Sequence, residues 1–76
     1  MASLSPELQA TWRAGKPVGG VNFAHDDLVT ILAGEHTGNV GSLVAIEQLE
    51  PDVVFQVEID SGFNVRARQA DIELVG

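Results

Sequence analysis

The chain has 76 residues, no cysteine and a formal net charge of −7. A chain of this length forms one small domain, and without cysteine it forms neither a disulfide nor a thiolate metal site. Four basic residues stand against eleven acidic ones, which counts against a nucleic-acid partner, because affinity for phosphate backbones comes largely from Lys and Arg.

The N-terminal sequence predicts a short helix. Ser5 is a favourable N-cap, Pro6 suits the first helical position, and Glu7 suits the positive end of the helix dipole. Gly15 and Pro17 are expected to end the helix. This N-terminus has neither the basic region nor the apolar run of a signal peptide, so we expect a cytoplasmic protein.

One face of this helix is apolar, because Leu4, Leu8 and Trp12 recur at four-residue spacing. A helix of about nine residues is unstable alone in water, so this face packs on the chain's own sheet or on a neighbouring subunit. Trp12 is then either a core residue or, if exposed, an anchor for a partner. The sequence VGGVN that follows is flexible by composition and completes a first region, residues 1–22.

Residues 23–76 are predicted to form a small, mainly β barrel of five short strands. The segments are rich in β-branched and aliphatic residues, are separated by glycine turns and leave little room for helix. Alternation is clearest where Phe55, Val57 and Ile59 share one face, opposite the side chains between them. Strands are expected at residues 28–32, 43–46, 53–59, 63–68 and 72–75, with a brief turn at 69–71.

A hairpin is predicted through the turn sequence Asp60-Ser61-Gly62. It places Glu58 and Arg66 on the same outer face, close enough to pair across the two strands. Such an exposed ion pair is worth less than about 1 kcal/mol.

Residues 29–46 read VTILAGEHTGNVGSLVAI and contain three glycines, Gly34, Gly38 and Gly41. Gly34 and Gly38 are expected to take a positive φ in a loop that returns the chain as an antiparallel strand. Gly41 begins the next strand, where a side chain would collide with a facing backbone. We call residues 34–39 the glycine loop.

This stretch resembles the KOW motif of ribosomal proteins and transcription elongation factors, over about a quarter of the chain. That motif begins with two apolar residues at alternate positions, followed by a glycine. A second glycine lies four residues after the first, a third lies three residues after the second, and an aliphatic strand follows. The matching positions are Val29, Ile31, Gly34, Gly38, Gly41 and the run 43–46. The resemblance implies an SH3-like barrel.

The family's RNA binders usually carry Lys or Arg between these glycines. Here the positions between and directly after these glycines include Glu35, His36, Thr37, Asn39 and Ser42, none of them Lys or Arg. The resemblance therefore implies protein contact rather than RNA binding.

The layout of a short N-terminal segment before an SH3-like barrel is also similar to the type II dihydrofolate reductases, tetramers with one shared active site. Their active-site strand reads Val-Gln-Ile-Tyr, and the corresponding stretch here is Val65-Arg66-Ala67-Arg68. Only Val65 fits and the chain has no tyrosine, so the activity is not carried over.

No metal, cofactor or catalytic centre is predicted. His25, Asp26 and Asp27 are adjacent in sequence, but strand neighbours alternate faces, so at most two of the three would converge, and a divalent ion needs three or four ligands. The sequence pattern does not indicate that His36 lies near these three residues. A chain this short rarely encloses a substrate pocket alone.

We therefore predict a non-enzymatic interaction module that binds protein or its own copies, without membrane contact. A homo-oligomer is favoured, because the chain is short and 45 % hydrophobic and an open barrel exposes strand edges, although the net charge opposes self-association. One alternative is an RNA-associated KOW domain that binds through Arg66 and Arg68, with Arg13 and Lys16. Another is an oligomeric enzyme whose site is shared between subunits. The predicted partner-binding residues are Trp12, Glu35, His36, Thr37 and Asn39, and the predicted structural glycines are Gly34, Gly38 and Gly41.

Overall fold

The computed structural model describes residues 5–60 and 62–75. These residues form a mainly β fold: one sheet of five antiparallel strands, preceded by a short helix. Leu4 and Ser61, which entered the sequence predictions, lie outside the described residues. The elements are α1 (Pro6–Arg13), β1 (Leu28–Ile31), β2 (Val40–Gln48), β3 (Val54–Ile59), β4 (Asn64–Arg68), the 3-10 turn Gln69–Asp71 and β5 (Ile72–Leu74). The strand order in the sheet is β4-β3-β2-β1-β5.

The predicted start of α1 is confirmed. The Ser5 hydroxyl accepts a hydrogen bond from the Leu8 amide at 3.2 Å, and Pro6 occupies the first turn. The cap satisfies one of the amides that a helix N-terminus leaves without a partner.

The helix packs on the chain's own sheet rather than on a neighbour. Trp12 is 1 % exposed and belongs to the central hydrophobic cluster. Its ring lies 5.8 Å from that of Phe55, and its indole N–H donates to the Phe23 carbonyl at 2.8 Å. Gln9 binds both backbone groups of Ile46, donating to its carbonyl and accepting from its amide. A helix too short to persist alone is thus stabilised by burial and by bonds to β2.

The linker at 18–22 is docked, which its composition did not predict. The Gln69 amide group donates to the Gly20 carbonyl at 3.0 Å and accepts from the Asn22 amide at 2.7 Å. Val18 and Val21 also pack against the core. The Gln69 side chain, distant in sequence, therefore holds the linker in place even though its glycines favour backbone flexibility.

The second strand is longer than predicted, Val40–Gln48 rather than 43–46, and it contains two irregularities. Its pairing with β3 shifts by one residue between Leu43 and Ala45 and again between Ile46 and Gln48. Bulges bend a strand and increase its twist. β2 pairs with β1 through residues 40–42 and with β3 through residues 41–48.

The predicted hairpin between β3 and β4 forms, but the predicted ion pair does not. Asn64 lies opposite Glu58, and Arg66 lies two residues further along, opposite Gln56. Arg66 instead binds Glu47 of β2, with 2.7 Å between Nε and Oε1. Glu47 stands where β2 is bulged, and its other oxygen accepts from Gln56 at 3.0 Å.

Candidate functional site: the groove beside the glycine loop

The glycine loop closes the β1–β2 hairpin through a compact set of backbone bonds. The Gly38 amide donates to the Ile31 carbonyl at 2.8 Å, and the Thr37 hydroxyl donates to the Gly34 carbonyl at 2.6 Å. Gly34 and Gly38 have φ of +93° and +92°, a region that residues with a Cβ resist. The predicted conformational role of both glycines is confirmed.

Gly41 has a different role, also as predicted. A Cβ built on it would collide with the Glu58 carbonyl oxygen and would lie 2.8 Å from Cγ1 of Val57. Gly41 therefore permits the close approach of β2 and β3 directly after the loop.

The loop presents polar side chains to solvent. Glu35, Thr37 and Asn39 are exposed, and His36 is half-buried. Trp12, predicted as a fifth contact residue, is corrected here: it is buried in the chain's own core, because the helix lays it against Phe55. The structure therefore does not bring Trp12 together with the loop at a surface.

A groove of about 460 Å³ separates the glycine loop from β4. Glu35 and His36 line one wall, and β4 with Asp71 lines the other. Ile31 of β1 and Val65 and Ala67 of β4 contribute the larger apolar side chains of this lining. The sequence could not show this groove, because its two walls lie some thirty residues apart in the chain.

Both arginines of β4 line the groove and both are paired within the chain. Arg66 binds Glu47, as described above, while Arg68 Nε lies 2.8 Å from Asp71 Oδ2. The hydrogen bond to Asp71 and the charge of Asp71 raise the pKa of Arg68. More than half of each arginine side chain remains exposed, 64 % and 57 %, so each keeps donors that face solvent.

The histidine and aspartates before β1 have structural partners. The Asp27 carboxylate accepts from the Ala24 amide at 2.8 Å, and the His25 ring packs edge-on against Trp12 at 5.4 Å. Asp26 has a φ of +70° and is exposed. Among residues 5–60 and 62–75, no three His, Asp or Glu side chains converge as a metal site would require.

Phe63 is a feature that the sequence reasoning passed over. It directly precedes β4 and is 68 % exposed, the most exposed of the large apolar side chains that the structure describes. An exposed aromatic residue beside a turn could have been flagged from its sequence position alone, since aromatic anchors dominate many interfaces.

Within the described part of the chain, no helix has both the length and the apolar character needed to cross a bilayer. No protein-family model matches the sequence, and neither a curated protein nor a solved structure matches it.

Proposed function

We propose that this protein is a non-enzymatic interaction module that binds a protein partner through the glycine loop and the groove beside it. The observation that carries the proposal is that groove, which is lined by the polar loop residues Glu35 and His36 together with β4 and the apolar residue Ile31. Binding sites commonly combine apolar surface with a few polar groups that fix orientation.

We further propose that the sheet is an SH3-like barrel with a KOW-type loop. Three observations support this assignment: the strand order β4-β3-β2-β1-β5, the bulged second strand, and the 3-10 turn directly before β5. The glycine positions of the loop, with positive φ at Gly34 and Gly38 and close approach at Gly41, agree with the motif.

The ion pairs of β4 favour protein over RNA as the partner. A phosphate backbone would compete with Glu47 for Arg66 and with Asp71 for Arg68, and the chain's net charge of −7 would oppose it. The glycine loop contributes the negatively charged Glu35 and no Lys or Arg. A protein partner needs no such concentration of positive charge.

Site-specific photo-crosslinking tests the proposal. A photoreactive phenylalanine analogue replaces His36, and a matched control carries it at Ala10, an exposed position on the helix. In cells of the source organism we expect discrete protein adducts from position 36 that are absent from position 10. Adducts at neither position, or the same adducts at both, would refute the loop as the contact site.

Sedimentation of the purified chain separates a distinct partner from a second copy. The sequence favoured a homo-oligomer, but we now expect a monomer at micromolar concentration, because identical chains repel one another through their net charge and the helix already bonds to part of the β2 edge. A dimer whose dissociation constant rises when Glu35 and His36 are both replaced by alanine would assign the loop to self-association instead.

A further inference from the structure

We propose that the outer face of the sheet binds an amphipathic helix of a partner protein, one whose apolar stripe is flanked by Lys or Arg. The outer face is the side turned away from Trp12 and the core, and we define it by Leu28, Thr30, Val40, Ser42, Glu58, Glu73 and Val75. The groove lining that the structure describes includes none of these residues, so this surface goes beyond the proposed function.

Strand register places a first row of these side chains across the sheet. Leu28 lies opposite Ser42 of β2, which in turn lies opposite Glu58 of β3. On the other side of β1, the Leu28 carbonyl accepts from the Val75 amide at 3.0 Å. Partners across antiparallel strands share a face, and the next residue along β1, Val29, is fully buried. Because neighbours in a strand alternate faces, this row points away from the core.

A second row runs parallel to the first. Thr30 lies two residues after Leu28 and therefore on the same face, opposite Glu73 of β5 and Val40 of β2. The two rows are about 7 Å apart at the usual strand rise. Both rows have an apolar or hydroxyl-bearing middle on β1 and β2, and each ends in a carboxylate.

The middle of the outer face is apolar and open to solvent. Leu28 is 49 % exposed and Val75 is 47 % exposed, while Val40 is half-buried. The helix α1 packs on the opposite side of the sheet, through Trp12. Apolar sheet faces are stabilised when another element packs on them, and exposed apolar patches with a polar rim mark interaction sites.

The charges at the rim select the occupant. Glu58 and Glu73 are both exposed, and within the part of the chain that the structure describes neither of them takes part in an ion pair. This distinguishes them from Glu47 and Asp71, which already bind arginines. The outer face itself contains no Lys, Arg or His, and the whole chain has a net charge of −7. An occupant with cations beside its apolar surface therefore meets negative charge that is not yet compensated.

The width of the outer face fits a helix. Glu73 of β5 and Glu58 of β3 are separated by three strand spacings, about 14 Å. A helix with its side chains is about 10–12 Å across, so a helix lying along β1 and β2 covers Leu28 and Val40 with its apolar stripe. Lys or Arg on its two flanks then reach both carboxylates. A second copy of the chain fits poorly, because two outer faces would bring their carboxylates against each other.

Methyl NMR spectra of the intact chain test this docking. The probe is a capped peptide of about five helical turns, with leucines along one stripe and lysines on both sides of it, at physiological salt. We expect shifts of the methyl signals of Leu28 and Val75 and little change at Val65, which lines the groove. The same peptide with glutamate in place of lysine should leave all these signals unchanged at millimolar concentration.

Two matched pairs of variants separate a defined site from general attraction. E58Q/E73Q should weaken binding of the lysine peptide about fivefold, as the loss of two exposed ion pairs requires. The control E7Q/E50Q removes the same charge from exposed positions elsewhere and should weaken it much less.

The second pair tests the apolar contact. L28S should weaken binding of the lysine peptide, whereas L74S should not. Leu74 is 55 % exposed but lies opposite the buried Val29, on the inner side of β5.

Three results would overturn the proposal. The first is unchanged methyl signals at Leu28 and Val75 at millimolar lysine peptide. The second is equal weakening by E58Q/E73Q and E7Q/E50Q, which would show that the peptide responds to net charge alone. The third is equal weakening by L28S and L74S, which would remove the outer face as the apolar contact.

Discussion

Replacing Gly41 by alanine is expected to destabilise the fold more than alanine at any other glycine in residues 15–41. The added methyl group would meet the Glu58 carbonyl oxygen and Cγ1 of Val57, both within the β2–β3 pairing. A backbone atom held in a sheet ladder cannot move aside as the end of a flexible side chain can.

The expected cost is about 2 kcal/mol. Overpacking of a well-packed interior costs roughly 1–3 kcal/mol. The upper part of that range applies because the added methyl group collides with a backbone atom, the Glu58 carbonyl oxygen. Alanine offsets about 0.4–1 kcal/mol by restricting the unfolded chain. A domain of this length has a total stability of about 4–11 kcal/mol, so the loss is a large share of it.

Urea unfolding followed by fluorescence measures this loss, because Trp12 is the single tryptophan and is fully buried. With an m-value of about 1 kcal/mol/M, the midpoint should fall by about 2 M. Two matched variants separate space from conformation. G34A has open space but a φ of +93°, and should cost about 1 kcal/mol. G19A has neither obstacle and should be neutral or slightly stabilising.

The order of the three variants is the critical result. If G41A unfolds at the same urea concentration as G19A, the collision with Glu58 does not exist in solution. If G34A lowers the free energy of unfolding more than G41A does, the positive φ at Gly34 matters more to stability than the close approach of strands at Gly41.

Three further outcomes are expected. W12A should lose about 3–5 kcal/mol, a large share of the total stability, and W12F should lose less; urea unfolding followed by circular dichroism measures both midpoints. Q69A should speed hydrogen exchange at the Asn22 amide while the β3 amides keep their protection, and equal speeding at both would mean that the linker is held by other contacts. E47Q should lower stability by less than about 1 kcal/mol, and high salt should remove the difference; a larger loss that resists salt would show that Arg66 depends on Glu47 for more than a surface pair.

Much of the local structure could be predicted from single residues. Ser5 caps its helix, and Gly34, Gly38 and Gly41 have the conformational or steric roles that their spacing indicated. Five strands lie close to the predicted positions. These features depend on neighbouring residues in the sequence or on the backbone freedom of glycine, and a sequence pattern shows both.

Contacts between distant segments could not be predicted in the same way. The partner of Arg66 depends on a bulge that brings in Glu47, and no alternation of apolar residues indicates where a strand will bulge. The linker is held by Gln69, a polar residue in a turn nearly fifty positions away. The groove likewise exists only where the glycine loop meets β4.

The bonds between Gln9 and Ile46 have a consequence for how the chain avoids its own copies. β1 pairs with β2 only as far as Ser42, so beyond that point β2 has no strand on this side among the described residues. Gln9 binds both backbone groups of Ile46 there, and Arg13 donates to the Val44 carbonyl at 3.4 Å. The helix thus occupies an edge that would otherwise recruit strands from neighbouring molecules. The variant Q9A/R13A removes the bonds to this edge and keeps Trp12 in the core. It should show self-association that rises with concentration in sedimentation, whereas the unaltered chain should not.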